Sequence, residues 1–191
     1  MTHIGHGEKV LVMKIFIAAL VLIFSLQSWT KADDIKDFQI EGMVIGDSAL
    51  NFFSESKILS TNQNFYKGKE FSTSEIGNFQ ITYKSNDPKF ILASIGKMEA
   101  MDISRCSKEI LSIVSSIEDM FSSNVKLIGP KRLTHWADDS KKSWHDQYFF
   151  LFKNKDAIIV ECYNWSENVP WKDHLRVRIT TNEFLNFLQK E

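Results

Sequence analysis

The clearest hydrophobic pattern along the chain predicts one long helix in its middle. Apolar side chains recur there at spacings of four, three, four and three, at Cys106, Ile110, Ile113, Ile117 and Met120. Polar residues occupy most of the positions between them. This period is typical of an amphipathic helix whose apolar side packs on a core.

Period-two alternation predicts strands on both sides of this helix. Residues 79–84 and 90–98 flank the turn residues 85–88 and form a first predicted hairpin. Residues 147–152 and 157–165 flank a polar turn and form a second. A final strand is predicted at residues 175–179, and Gly129-Pro130 is interpreted as a break after the long helix.

Shorter helices are predicted near both ends of the domain. Gly46-Asp47-Ser48 is typical of a helix start, with an apolar stripe continuing to Ile58. Thr180-Thr181-Asn182-Glu183 fits a capping box with Thr180 at the N-cap, and Phe184 opens the apolar side of the helix that follows. Residues 61–74 show no assignable pattern.

This order of elements predicts an α+β fold. We expect an antiparallel sheet of about five strands, packed on one face by the long helix, with short N- and C-terminal helices.

The N-terminal segment has the pattern of an export signal. Lys14 precedes an apolar run over residues 15–26, and Thr30-Lys31-Ala32 supplies small residues for cleavage. Residues 1–32 are therefore predicted to be an extension and signal peptide, with Met13 as the expected true start, and residues 33–191 a single periplasmic or secreted domain. The run is shorter than the roughly 20 apolar residues of a membrane span, and an uncleaved anchor is the alternative.

Composition narrows the class of partner. Hydrophobic residues make up 43% of the chain, enough for a packed core. The 23 basic and 24 acidic residues nearly balance. Without residues 1–32, which hold three lysines and one glutamate, 20 basic and 23 acidic residues remain. We therefore expect no nucleic-acid partner, and membrane contact only through the signal segment if it stays uncleaved.

The two cysteines, Cys106 and Cys162, are predicted to form a disulfide. Cys106 lies on the apolar side of the long helix, and Cys162 shares a strand face with Ile158 and Val160. Both side chains should point into one helix–sheet interface, and an even cysteine count in an oxidising compartment favours a bond. Two buried reduced thiols are the alternative.

Candidate binding residues concentrate in the last third of the chain. Four tryptophans lie there, at Trp136, Trp144, Trp165 and Trp171. Exposed aromatic side chains can stack on sugars or anchor a protein partner, although core-capping is the more common role. Tyr163, Arg176 and Arg178 are predicted on the outward face of the sheet. Antiparallel sheets often leave such a face wet without a binding role.

No catalytic residue, cofactor or metal site is predicted. His135, Asp138 and His145 fall in one polar segment, but their spacing matches no zinc motif, and a solvated loop is favoured. His174 is interpreted as a lone surface histidine. No nucleotide-binding or hydrolase motif is present in the sequence.

These observations favour a non-enzymatic protein-binding or envelope-associated module, with another envelope protein as its partner. The alternative is a small-molecule or glycan binder that uses the Trp-rich C-terminal third. A hydrolase of unrecognised type, with a site around His135, Asp138 and His145, is a third hypothesis. An exposed sheet edge would favour the first, a shallow aromatic patch the second, and a deep pocket the third.

Overall fold

The computed structural model describes residues 34–63, 70–121 and 124–190. These residues belong to a unit of the chain that runs from Ala32 to Glu191. The predicted signal peptide, its cleavage site and the upstream extension lie outside the described residues. Within the described part, no helix is long and apolar enough to cross a membrane.

The strands come in two groups of four, separated by the long helix. The first group is β1 (Asn62–Gln63), β2 (Phe71–Ile76), β3 (Phe79–Lys84) and β4 (Leu92–Ala100). The second group is β5 (Val125–Thr134), β6 (Trp144–Phe152), β7 (Ala157–Asn164) and β8 (His174–Thr180). The helices are α1 (Glu55–Ser60), α2 (Ile103–Phe121) and α3 (Asn182–Lys190), with short 3-10 helices at Ile35–Asp37 and Ala49–Asn51.

All eight strands form one antiparallel sheet in the order β1-β2-β3-β4-β8-β7-β6-β5. Each group is a meander, and the two meanders join where β8 pairs with β4, with Ile95 opposite Ile179. The predicted α+β fold with an antiparallel sheet is confirmed. The sheet is larger than the predicted five strands, because β1, β2 and β5 were not recognised.

Helix α2 covers one face of the sheet, which we call the first face. Its buried side chains repeat at helical spacing, at Cys106, Ile110, Val114, Ile117 and Phe121. They pack above β7, β8 and β5 and meet buried strand residues such as Ile158 and Ile179 in one core. The predicted long helix and its apolar side are therefore confirmed.

The two cysteines meet in this core, as their predicted faces required. Cys106 near the start of α2 and Cys162 in β7 form a disulfide, with Cα atoms 5.8 Å apart. Both residues are at most 1% exposed. The bond ties α2 directly to a central strand of the sheet.

Helix α3 lies against the opposite face, which we call the second face. Phe184 packs on Phe71 of β2 with ring centroids 5.0 Å apart, in a small cluster separate from the main core. The hydroxyl of Thr181 accepts from the N–H of Phe184 at 3.3 Å. The N-cap is therefore Thr181, and the prediction of Thr180 at that position was wrong by one residue.

The N-terminal helix predicted from residue 46 is two short pieces. Ser48 caps the 3-10 helix Ala49–Asn51, and Ser54 then caps α1. Ser48 and Ser54 each accept a hydrogen bond from a free N–H group at the start of a helix. Two short helices therefore begin here instead of one continuous helix.

Candidate functional site

Strand alternation places a set of polar and aromatic side chains on the second face of β6, β7 and β8. Cys162 points to the first face, so Glu161 and Tyr163 on either side of it point to the second. The antiparallel register sets Arg176 opposite Glu161 and His174 opposite Tyr163.

Glu161 forms the centre of a buried ion cluster. Its carboxylate accepts from Arg176 Nε at 2.8 Å and from Gln147 Nε2 at 2.8 Å. A guanidinium nitrogen of Arg178 lies 4.0 Å from the same carboxylate, and Arg176 also donates to the Tyr163 hydroxyl. Glu161 is only 1% exposed.

The cluster keeps its charges despite this burial. Burial alone would raise the pKa of the Glu161 carboxyl, but the nearby guanidinium groups of Arg176 and Arg178 outweigh it and hold that pKa well below its usual value. Burial of the Arg176 guanidinium would lower its pKa, and the Glu161 carboxylate raises it instead. The expectation of a solvated outer face was therefore wrong here. These polar side chains bond to one another and shield one another from solvent.

Next to this cluster, Tyr163 is stacked between two imidazole rings. The centroid of its ring lies 4.8 Å from that of His145 and 4.5 Å from that of His174, with interplanar angles of 16° and 12°. Cross-strand pairing produces this arrangement, since both histidines lie opposite Tyr163 in the ladder. His174 is therefore part of a ring stack and not the lone surface histidine that was predicted.

The rings continue from this stack to the end of the sheet. The His135 ring lies 4.3 Å from Trp165 and 5.8 Å from Trp136, and Trp165 lies 4.8 Å from Trp171, measured between centroids. We call the whole group the aromatic end. Its members are His135, Trp136, His145, Tyr163, Trp165, Trp171 and His174.

Two members of the aromatic end present their rings to solvent. Trp136 is 83% exposed and Trp171 is 48% exposed, whereas Tyr163 is 4% exposed. The inner rings are buried or half-buried, and the two outer indoles are open to solvent.

The three imidazoles of the aromatic end are uncharged near neutral pH. Burial is the largest cause that lowers the pKa of each, with the positive charge of Arg176 adding to it. The pKa of His135 falls to about 4. The aromatic end therefore offers rings and neutral hydrogen-bonding groups at its surface.

A buried carboxylate holds the loops that carry the exposed rings. Asp138, 3% exposed, accepts from the backbone N–H groups of Ser140 and Ser143 at 2.9 and 2.8 Å. It also accepts from the hydroxyl of Ser166 at 2.8 Å. These bonds hold the pKa of the Asp138 carboxyl well below its usual range and tie the β5–β6 loop to the segment after β7.

The structure brings together three of the four predicted tryptophans. Trp136, Trp165 and Trp171 share the aromatic end, but Trp144 faces the other way, where the guanidinium carbon of Arg132 lies 3.6 Å from its ring centroid. The predicted side chains Tyr163, Arg176 and Arg178 do point to the second face. The solvated loop expected around His145 was wrong, since His145 lies in β6 and is 9% exposed.

The packing of the His135, His145 and His174 rings against aromatic neighbours was not predicted from the sequence. The only available signal was register: once Tyr163 is placed in the ladder, its neighbours on β6 and β8 are His145 and His174. That register cannot be read from the separate strands.

The residues of the hydrolase hypothesis have other contacts in the structure. The Asp138 carboxylate is occupied by three serines, and His135 Nδ1 accepts from the backbone N–H of Ala137 at 3.2 Å. Among the residues that the structure describes, no group of three or more His, Cys, Asp or Glu could hold a metal ion.

Comparisons with protein-family models, with curated proteins and with solved structures gave no match for this chain. The function is therefore inferred from the geometry of the site.

Proposed function

We propose that this protein is an exported, non-enzymatic module that binds saccharide chains through its aromatic end. The observation that carries the proposal is the pair of exposed indoles, Trp136 and Trp171, which pack on the half-buried rings of His135 and Trp165. These neighbours restrain the exposed rings, so less side-chain freedom is lost on binding.

The chemistry of the aromatic end supports a saccharide over a charged ligand. A pyranose ring has an apolar face of C–H groups that packs on an indole, and a rim of hydroxyls that seeks neutral donors and acceptors. The imidazoles of His135 and His174 are held neutral by burial. His135 lies beside the exposed Trp136, and His174 lies beside Trp165. The ionic groups Glu161 and Arg176 are bonded to each other.

The size of the surface supports a small flat ligand over a large protein interface. Complete burial of two tryptophan side chains removes about 300–500 Å². A standard protein–protein interface needs roughly 800 Å² from each partner. One sugar ring stacked on each indole is enough to cover this area.

The disulfide supports the export half of the proposal. Cys106 and Cys162 are bonded, and such bonds persist in the periplasm and outside the cell but are rare in the cytosol. Polysaccharides of the envelope are available in those same compartments.

The test is a binding titration of the purified exported protein with soluble oligomers of glucose, mannose and N-acetylglucosamine. Because Trp136 and Trp171 are emitting groups, binding should change the intrinsic fluorescence. We expect Trp136→Ala and Trp171→Ala each to weaken the affinity about tenfold, which is about 1.4 kcal/mol.

The matched control is Leu59→Ala, since Leu59 is also a largely exposed apolar side chain, 52% exposed, but belongs to α1. Its saccharide affinity should equal that of the unaltered protein. The proposal fails if none of the oligomers binds, or if the two tryptophan variants bind as well as the Leu59 variant.

A further inference from the structure

Strand β5 forms a long outer edge of the sheet. It ends the strand order, and within the described ranges no other strand pairs with its outer side. It runs over ten residues, Val125–Thr134, with a register shift between Ile128 and Lys131, whereas β1 at the opposite edge has two. Outer edges of this length present main-chain groups that can pair with another chain.

The hydrogen-bonding pattern identifies which main-chain groups point outward. The N–H of His135 donates to the C=O of Ser143 at 2.9 Å, one step beyond the last ladder pair. Bonded and non-bonded pairs alternate in an antiparallel ladder. Leu133 therefore bonds to β6, and the N–H and C=O groups of Arg132 and Thr134 point away from the sheet.

A groove adjoins this part of β5 on the first face. It has a volume of about 400 Å³ and lies between α2 and the strands β5 and β6. Ile110, Leu111, Pro130 and Tyr148 supply apolar walls, and the ion pair of Arg132 and Asp146 also lines the groove. Leu111 is 57% exposed, so the groove opens to solvent beside the strand edge.

The charge of the edge is positive. Residues 125–134 contain Lys126, Lys131 and Arg132 and no acidic residue. Arg132 is neutralised by Asp146, with two hydrogen bonds of 2.8 and 2.7 Å. Lys126 and Lys131 are exposed, on a chain whose net charge is −1. A second copy of the chain would bring the same positive edge, so pairing of two β5 edges is disfavoured.

We propose that the β5 edge binds an extended segment of another exported protein in which apolar and acidic residues alternate. The segment adds as a strand beside Arg132 and Thr134. Alternate side chains then point to opposite faces, so apolar residues enter the groove on the first face and acidic residues lie beside Lys131 on the second. Strand addition supplies main-chain bonds, and the groove supplies specificity. This site goes beyond the saccharide site and is independent of it.

The probe is a capped, fluorescently labelled peptide in which valine and glutamate alternate, with a valine–lysine peptide as its comparison. Anisotropy with the full protein should show binding of the acidic peptide only. Thr134→Pro removes one outward N–H without removing a bond to β6 and should abolish binding. Lys131→Glu should weaken it several-fold, and the exposed control Lys89→Glu should leave it unchanged.

The inference is wrong if the acidic peptide does not bind, or if the two peptides bind equally well. It is also wrong if neither Thr134→Pro nor Lys131→Glu changes the affinity for the acidic peptide. Trp136→Ala should not alter peptide affinity, so loss of the saccharide site and loss of the edge site are told apart. Circular dichroism of Thr134→Pro shows whether that variant folds, and Lys131→Glu carries the test if it does not.

Discussion

At the scale of single residues, Glu161 is the side chain on which the second face most depends. Its carboxylate is 1% exposed and is the shared partner of Arg176, Gln147 and Tyr163. Removal of the Glu161 charge would leave two guanidinium groups without their buried counter-ion.

We predict that Glu161→Gln lowers the free energy of unfolding by about 3–5 kcal/mol, the usual cost of breaking a buried ion pair from one side. Urea titration measures it. Glu183→Gln is the matched control, because Glu183 pairs with Lys84 at an exposed site where about 0–1 kcal/mol is expected. An equal, small loss in both variants would show that the Glu161 cluster does not stabilise the fold as proposed.

The sequence predicted the direction of these side chains but not their burial. Alternation alone places Tyr163, Arg176 and Arg178 on the outward face. Their burial depends on how ion pairs and rings from three strands cover one another, and that requires the register of β6, β7 and β8. The role of Asp138 in joining two loops was not predicted either, because two of its partners, Ser143 and Ser166, come from separate loops.

At the scale of elements, the disulfide joins the long helix to the sheet. Cys106 is on the first turn of α2 and Cys162 in β7, 56 positions apart. We predict that replacing both cysteines by alanine costs about 2–5 kcal/mol of stability, as is usual when a small secreted domain loses its disulfide. Thermal unfolding with and without reductant measures the effect. Two thiols that react after denaturation without reductant would contradict the bond.

The elements that could be predicted are those in which apolar and polar residues alternate along the sequence. β7 was predicted with its hairpin partner, although residues 157–163 are all buried. Helix α2 and strands β3 and β8 show the alternation clearly. β2 does not, since its inward Ser74 is fully buried and bonded to the backbone oxygen of Ile58. β5 does not either, because an edge strand is exposed on both sides and its register shifts around Gly129-Pro130.

At the scale of the whole molecule, two meanders share one sheet and one core. The contact between β4 and β8 joins the halves, and α2 crosses from one to the other. The antiparallel class followed from the hairpins. The strand order could not be predicted, because no sequence pattern indicates that the last strand pairs with the fourth. The aromatic end and the β5 edge both belong to the second meander and its loops, so the proposed binding surfaces lie in one half of the domain.

At the N-terminus, cleavage after Ala32 remains a prediction from the sequence pattern of residues 14–32. The carboxylate of Asp34 caps the first 3-10 helix by accepting from the N–H of Lys36 at 3.1 Å, and Ile35, 1% exposed, belongs to the core. Cleavage after Ala32 would keep both residues in the mature chain. We therefore predict that mass spectrometry of the native protein finds an N-terminus at or next to Asp33. The same sample should show a mass lower by that of the missing segment and by two hydrogens for the disulfide.

A mature species that keeps residues 15–26 would contradict cleavage and favour the anchored alternative, in which the saccharide and peptide sites would act at a membrane surface.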